Sequence, residues 1–156
     1  MTTPSPPGTI LITGANGGLG SALAKTISES ADLSKFHAVY TVRNVETATT
    51  LKSALANAKP DHKHDIIALD LSSLANVRQV AATLNKRVAN GSLPPIRAFI
   101  HNAAFQEQTT QSFTGDCFDM SFQCNYLSHW LLTMLLLESM DKESGRIVVV
   151  GSSGHE

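Results

Sequence analysis

Short apolar runs alternate along this chain with longer segments in which apolar residues recur every three or four positions. Five of these runs are bounded by glycine, proline or polar residues and have the length of single strands. They predict strands at residues 10–12, 37–42, 66–69, 96–100 and 146–150. Because the runs are apolar throughout rather than alternating, each strand is expected to be buried on both faces.

The segments between the strands predict helices. The first helix begins at about Ser21, and the second runs from a cap at Asn44 to about residue 58. The third is capped by Ser72 or Ser73 and closed by Gly91, and the fourth is a long helix at 117–140. Regular alternation of strand and helix predicts an α/β fold with a doubly wound parallel sheet. In such sheets a ligand binds at the carboxyl ends of the strands.

A glycine cluster directly follows the first apolar run. It reads Thr13-Gly14-x-x-x-Gly18-x-Gly20 and leads at once into a helical segment. Glycine permits a positive φ in such a turn and lets an anion reach the backbone, while the helix offers free N–H groups to a pyrophosphate. Neither G-x-G-x-x-G nor a P-loop string occurs. The alternative is a glycine-rich turn that binds no ligand.

Length and composition limit the classes of protein. The 156 residues suit one domain at 9–156 after a disordered lead-in at 1–8, and the net charge of −1 gives no reason to expect nucleic acid as a partner. No apolar run can span a bilayer, so no membrane contact is expected. Cys117 and Cys124 have no metal-binding spacing and are expected to be free thiols in one helix, which favours the cytoplasm. The stretch Asp61–Asp65 is read as a solvated loop rather than a metal site.

The string Thr-Gly-x-x-x-Gly-x-Gly resembles the cofactor loop of the short-chain dehydrogenase/reductase family, and the resemblance extends over nearly the whole chain from Thr9. Asp70-Leu71 resembles the family's segment that holds the adenine ring, and Asn102-Ala103-Ala104 resembles its Asn-Ala-Gly. The resemblance implies a Rossmann-like fold and a cofactor site comprising Thr13, Gly14, Asn16, Gly18, Leu19, Gly20, Asp70, Leu71, Asn102, Ala103 and Ala104. It also implies catalytic roles for Asn125 and Ser152.

Arg43 bears on the choice of cofactor because it directly follows the second predicted strand. An acid there would accept hydrogen bonds from the ribose 2′-hydroxyl of NAD, whereas an arginine accommodates the 2′-phosphate of NADP. The segment Val42-Arg43-Asn44 offers a cation and no acid, so NADP is favoured over NAD. The alternative is an arginine exposed on a loop.

The resemblance implies that hydride chemistry needs a Tyr-x-x-x-Lys pair, in which the tyrosine is the general acid/base and the lysine lowers its pKa, and this pair does not occur in the sequence. The chain contains Tyr40 and Tyr126, and the residues four positions later are Asn44 and Trp130. Two hypotheses follow. The first is a fragment of an NADP(H)-dependent oxidoreductase that acts on a carbonyl or alcohol substrate and ends after the fifth strand. The second is a non-catalytic nucleotide-binding or interaction module. Either could form a homo-oligomer through the helix at 117–140.

Overall fold

The computed structural model describes residues 6–107 and 109–152 and contains one parallel sheet of five strands in the order β3-β2-β1-β4-β5. The strands are β1 (Thr9–Ile12), β2 (His37–Val42), β3 (His64–Ala68), β4 (Ile96–His101) and β5 (Arg146–Val149). Strand order changes direction at β1, because the chain first builds outward to β3 and then returns to place β4 on the other side. This confirms the predicted α/β doubly wound, Rossmann-like fold.

Helices lie on both faces of the sheet but leave β5 exposed along its length, so the expectation that every strand is buried on both faces was wrong for β5. The helices are α1 (Gly18–Glu29), α2 (Thr49–Ala54), α3 (Leu74–Ala89), α4 (Met120–Phe122) and α5 (Ser128–Leu136). A π-helical turn at Gln123–Leu127 joins α4 to α5, and short 3₁₀ turns lie at Leu33–Lys35 and Leu137–Ser139. Ser73 caps α3 by accepting a hydrogen bond from the backbone N–H of Asn76, which confirms one of the two predicted caps.

Two apolar layers hold the helices on the sheet. On one face, Ile12 and Tyr40 pack with the α1 side chains Ala24 and Ile27. The other face is packed by α3 and α5, whose apolar side chains meet Leu11, Val39 and Phe99 of the strands. Leu11 packs in one layer and its neighbour Ile12 in the other, because successive side chains of a strand point to opposite faces of the sheet and β1 is buried on both.

The prediction of a helix from Asn44 to about residue 58 was wrong at both ends. The helix α2 covers only Thr49–Ala54, and the residue that precedes it is Ala48. The side-chain oxygen of Asn44 instead accepts hydrogen bonds from the backbone N–H groups of Glu46 and Thr47. Asparagine therefore forms a local turn here, which competes with helix capping for the same side-chain oxygen.

The predicted helix at 117–140 begins three residues later, at Met120, and is not uniform because it contains the π turn. Cys117 lies outside it with φ +65°, so the two cysteines do not share a helix. The structure also places His101 in β4 rather than in the exit loop and shifts the third strand toward the N-terminus, to His64–Ala68. The first five residues of the predicted lead-in lie outside the described residues, as do the last four of the chain.

Candidate cofactor-binding site

A cavity of about 540 Å³ opens at the carboxyl ends of β1, β2, β3 and β4. This volume is within the usual range for small-molecule sites. All twelve residues predicted to bind the cofactor line it, namely Thr13, Gly14, Asn16, Gly18, Leu19, Gly20, Arg43, Asp70, Leu71, Asn102, Ala103 and Ala104. The structure therefore brings together segments that are up to 91 positions apart in the sequence, as expected at the switch point of a parallel sheet.

The turn after β1 depends on glycine at two positions for reasons internal to the protein. Gly14 has φ +68°, and a Cβ there would lie 2.7 Å from the Cα of Ala103. A Cβ on Gly20 would lie 2.8 Å from the Cα of Ala15 and 2.9 Å from Nδ2 of Asn102. These glycines allow the turn, helix α1 and the segment after β4 to approach one another closely.

Gly18 differs from the other two glycines because a Cβ placed on it meets no heavy atom within 4 Å. It is the first residue of α1, where no side chain caps the helix and no acidic residue lies in the first turn. The positive end of a 12-residue helix therefore faces the cavity, and Gly18 leaves room beside it. This arrangement suits a phosphate group bound by backbone N–H groups.

The second wall of the cavity follows β2. Arg43, Asn44 and Thr47 line it, and all three are exposed. Among the described residues, no carboxylate forms an ion pair with the Arg43 guanidinium. Asn16 connects this wall to the glycine turn, because its side-chain oxygen accepts a 3.0 Å hydrogen bond from the backbone N–H of Leu51 in α2.

The third wall follows β3 and is fixed by hydrogen bonds that involve side chains. Oδ1 of Asp70 accepts hydrogen bonds from the backbone N–H and the hydroxyl of Ser72, at 2.9 and 2.6 Å. The carbonyl of Leu71 accepts a 2.6 Å hydrogen bond from the Ser128 hydroxyl. Cys124 closes the cavity next to this segment, and burial, together with the charge of Asp70, raises the pKa of its thiol.

The fourth wall follows β4 and is tied to the glycine turn. Nδ2 of Asn102 donates to the carbonyls of Thr13 and Gly14, at 3.0 and 3.2 Å. Farther along this segment, the side-chain amide of Asn125 pairs with the backbone of Phe105 through two hydrogen bonds of 2.7 Å. Asn125 lies in the π turn, a feature often found at functional sites.

The two residues with implied catalytic roles lie outside the cavity lining. The side chain of Asn125 contacts the lining residue Phe105, and Ser152 is exposed beyond the end of β5. Eight further residues line the cavity and were not predicted from the sequence, namely Gly17, Thr41, Val42, Asn44, Thr47, Leu69, Phe105 and Cys124. Most of these are sequence neighbours of predicted residues at strand ends, and this proximity could have identified them. Cys124 comes from a helix and had no such signal.

The parallel sheet with a cavity at its switch point defines a Rossmann-like α/β protein of the nucleotide-binding type. Among the described residues, no group of three His, Cys, Asp or Glu side chains could hold a metal ion, and no helix could span a membrane. The model of the family described as short chain dehydrogenase matches residues 8–155. The chain belongs to this family, whose members bind nicotinamide cofactors and act on small molecules.

Curated relatives agree with this family assignment, and a solved structure agrees with the fold. The chain is 56% identical to Short-chain dehydrogenase iccH of Talaromyces variabilis, over 96% of its own length and 42% of the relative's. It is 39% identical to Protochlorophyllide reductase B, chloroplastic, of Hordeum vulgare, over 93% of its own length and 35% of the relative's. A metagenomic short-chain oxidoreductase in complex with NADP matches with a TM-score of 0.70 and 21% identity, over 96% of this chain and 64% of that one. The chain thus spans about two fifths of the length of these curated relatives.

Proposed function

We propose that the chain is the cofactor-binding part, residues 9–156, of an NADP(H)-dependent oxidoreductase that transfers hydride between the nicotinamide and a carbonyl or alcohol substrate. The observation that supports this is the shape and charge of the cavity. It joins an uncapped helix N-terminus to an arginine at the end of β2, with no acid at that position. One wall suits a pyrophosphate and the next suits a 2′-phosphate.

The residues present fit such a cofactor. The space beside Gly18 and the N–H groups of α1 would receive the pyrophosphate. Arg43 would face the 2′-phosphate, and Asp70 with Leu71 would flank the adenine. When bound, the nicotinamide would supply or accept the hydride. Asn102, Ala103 and Ala104 line the part of the cavity after β4 that remains for the nicotinamide half.

For the chemical step we propose that Ser152 hydrogen-bonds the substrate oxygen and that Asn125 supports a proton-relay water. Ser152 is exposed at the carboxyl end of the sheet, where a substrate could approach it. The 156 residues contain no Tyr-x-x-x-Lys pair, so the proton donor is not identified in this chain.

A second candidate function is an interaction module, and an exposed aromatic surface favours it. Large exposed side chains recur every four positions from just before α4 through the π turn and α5. They are Phe118, Phe122, Tyr126, Trp130 and Met134, each at least 41% exposed. Such a surface can mediate contact with another protein, including a second copy of this chain. We place either function in the cytoplasm, in keeping with the two free thiols.

The test of the first function is calorimetric titration of NADPH and NADH into the purified chain and into Arg43→Ala. Charge-assisted hydrogen bonds to a phosphate contribute about 1.5–3 kcal/mol, so Arg43→Ala should weaken NADPH binding about tenfold to a hundredfold and leave NADH binding unchanged. Arg78→Ala is the control, since Arg78 is exposed on α3 and does not line the cavity. Equal losses for both cofactors would show that Arg43 does not recognise the 2′-phosphate.

A further inference from the structure

At the start of the glycine turn, the buried hydroxyl of Thr13 forms three hydrogen bonds. Its Oγ1 lies 3.0 Å from the backbone N of Asn102 and 3.0 Å from that of Ala103. The same oxygen lies 2.9 Å from Nε2 of His129, which comes from α5. His129 is 5% exposed and does not itself line the cavity. One imidazole from a distant helix therefore contacts the residue on which the turn after β1 begins.

The partners determine where the protons lie. A threonine hydroxyl has one proton and two lone pairs, and the two backbone N–H groups occupy both lone pairs. The hydroxyl proton is therefore donated to His129, whose Nε2 accepts it. The other ring nitrogen, Nδ1, lies 3.3 Å from the carbonyl oxygen of Asn125, which can only accept. A neutral imidazole with its proton on Nδ1 satisfies every one of these contacts.

We propose that His129, in its neutral Nδ1–H form, is a positioning residue that joins two walls of the cofactor cavity, the glycine turn after β1 and the segment after β4. Toward β1 it orients Thr13, which holds the backbone of Asn102 and Ala103. Toward the π turn it holds the carbonyl of Asn125, whose side chain holds Phe105. The inference rests on the proposed function, because it assigns His129 an effect on cofactor affinity.

His101 supports this arrangement from the adjacent strand. Its ring stacks on that of His129, with centroids 4.8 Å apart and an interplanar angle of 16°. Nε2 of His101 lies 3.0 Å from the Thr133 hydroxyl, which gives its own proton to the backbone carbonyl of His129. His101 is thus the donor in that contact. Burial lowers the pKa of both histidines, which keeps the stacked rings neutral at pH 7.

A third buried histidine provides a matched control. His62 is 8% exposed, and its ring nitrogens contact the Tyr40 hydroxyl and the carbonyl of Ser34, at 3.3 and 3.2 Å. None of these three residues lines the cavity. Substitution of His62 should therefore destabilise the fold without altering cofactor binding, whereas substitution of His129 should do both.

The first experiment measures the tautomer in the unsubstituted chain. Long-range ¹⁵N–¹H correlation spectra at pH 7 should show His129 as a neutral ring with its proton on Nδ1. A proton on Nε2, or on both nitrogens, would overturn the proposal. This measurement requires no variant and no cofactor, so it remains informative if a substituted chain fails to fold.

The second experiment measures cofactor affinity in His129→Phe, which keeps a ring of similar size and removes both hydrogen bonds. NADPH titration should give a dissociation constant raised about tenfold, the equivalent of one or two hydrogen bonds, while His62→Phe should change it by less than about twofold. Unchanged affinity in His129→Phe, or equal losses in the two variants, would overturn the positioning role. Absence of NADPH binding by the unsubstituted chain would instead overturn the proposed function and leave the tautomer result standing.

Discussion

Two walls of the same cavity are built in different ways. The glycine turn after β1 is held by buried backbone contacts, in which Gly14 and Gly20 approach neighbouring atoms too closely for any Cβ. The segment after β2 forms a local turn around the Asn44 side chain, and its Arg43, Asn44 and Thr47 are exposed. The side-chain amide of Asn16 links the two walls. The first wall is part of the packed interior, whereas the second is a surface loop.

This difference separates two tasks that one cofactor would require. A pyrophosphate is common to all dinucleotides, so its receptor can be built rigidly from backbone groups. The group on the adenine ribose differs between NAD and NADP, and a loop that carries the discriminating side chain can vary without disturbing the core. Substitutions in the first wall are therefore expected to affect folding, and those in the second to affect selectivity.

The largest effect is expected from Gly20→Ala. The added methyl group would contact the Gly14 carbonyl oxygen and lie 2.8 Å from the Cα of Ala15, and backbone atoms cannot move aside cheaply. Overpacking of this kind should lower the free energy of unfolding by about 3 kcal/mol. Denaturation in urea, followed by circular dichroism, measures the loss.

Gly18→Ala is the control for this substitution within the same helix. No heavy atom lies within 4 Å of the new methyl group, so the free energy of unfolding should stay within about 0.5 kcal/mol of the unsubstituted value. If the two alanine variants were equally stable, the backbone around Gly20 would not be tightly packed.

A smaller loss of stability is expected at acidic pH, because His101, which stacks on His129, becomes protonated on unfolding. Burial and the neighbouring His129 lower the pKa of His101 from 6.5 to about 4. The unfolded chain therefore binds more protons than the folded one between these values, and stability falls as the pH falls through this range. The contribution of His101 to the free energy of unfolding should decrease by about 2 kcal/mol from pH 7 to pH 5.

His101→Gln isolates this contribution because glutamine keeps an N–H donor for Thr133. Urea denaturation at pH 7 and pH 5 should show a smaller acid-induced loss in the variant than in the unsubstituted chain, by about 2 kcal/mol. Equal losses would mean that His101 is as readily protonated in the folded protein as in the unfolded one.

The smallest effect is expected from the link between the walls. Asn16→Ala removes the acceptor for the Leu51 N–H in the first turn of α2, where no side chain of the preceding Ala48 can replace it. Loss of such a cap costs about 1 kcal/mol, which thermal denaturation can detect. Asn16→Asp retains an acceptor oxygen and should keep most of this stability. A loss as large in Asp as in Ala would argue against a capping role.

The sequence was sufficient for the features that depend on local pattern. Apolar runs and glycine spacing predicted the five strands and their parallel arrangement, with a ligand site where the strand ends meet at one edge of the sheet. Most of the twelve residues that line the cavity were implied by the family resemblance, and Arg43 by its place after the second strand. The prediction was less successful where a side chain had two local options. Asn44 could cap a helix or close a turn, and only the tertiary position of α2 decides between them.

The contacts made through space were not predictable from the pattern. The polar residues of the last helical segment resemble ordinary helix positions, and nothing local distinguishes a π turn at Gln123–Leu127 from regular helix. His129 reaches Thr13 across 116 positions of sequence. That contact arises only because α5 packs on the face of the sheet beside β4, so the hydrogen bonds of Thr13 at the start of the glycine turn emerged from the structure alone.

The central claim, that the cavity binds a dinucleotide with its pyrophosphate beside the glycine turn, is tested most directly by Gly18→Val. The side chain would enter open space at the start of α1 and meet no protein atom within 4 Å of its Cβ, so the fold should be retained. Calorimetric titration should then show NADPH binding weakened by more than about tenfold, since the valine fills the space that phosphate oxygens require. Unchanged affinity in a folded Gly18→Val chain would contradict the claim.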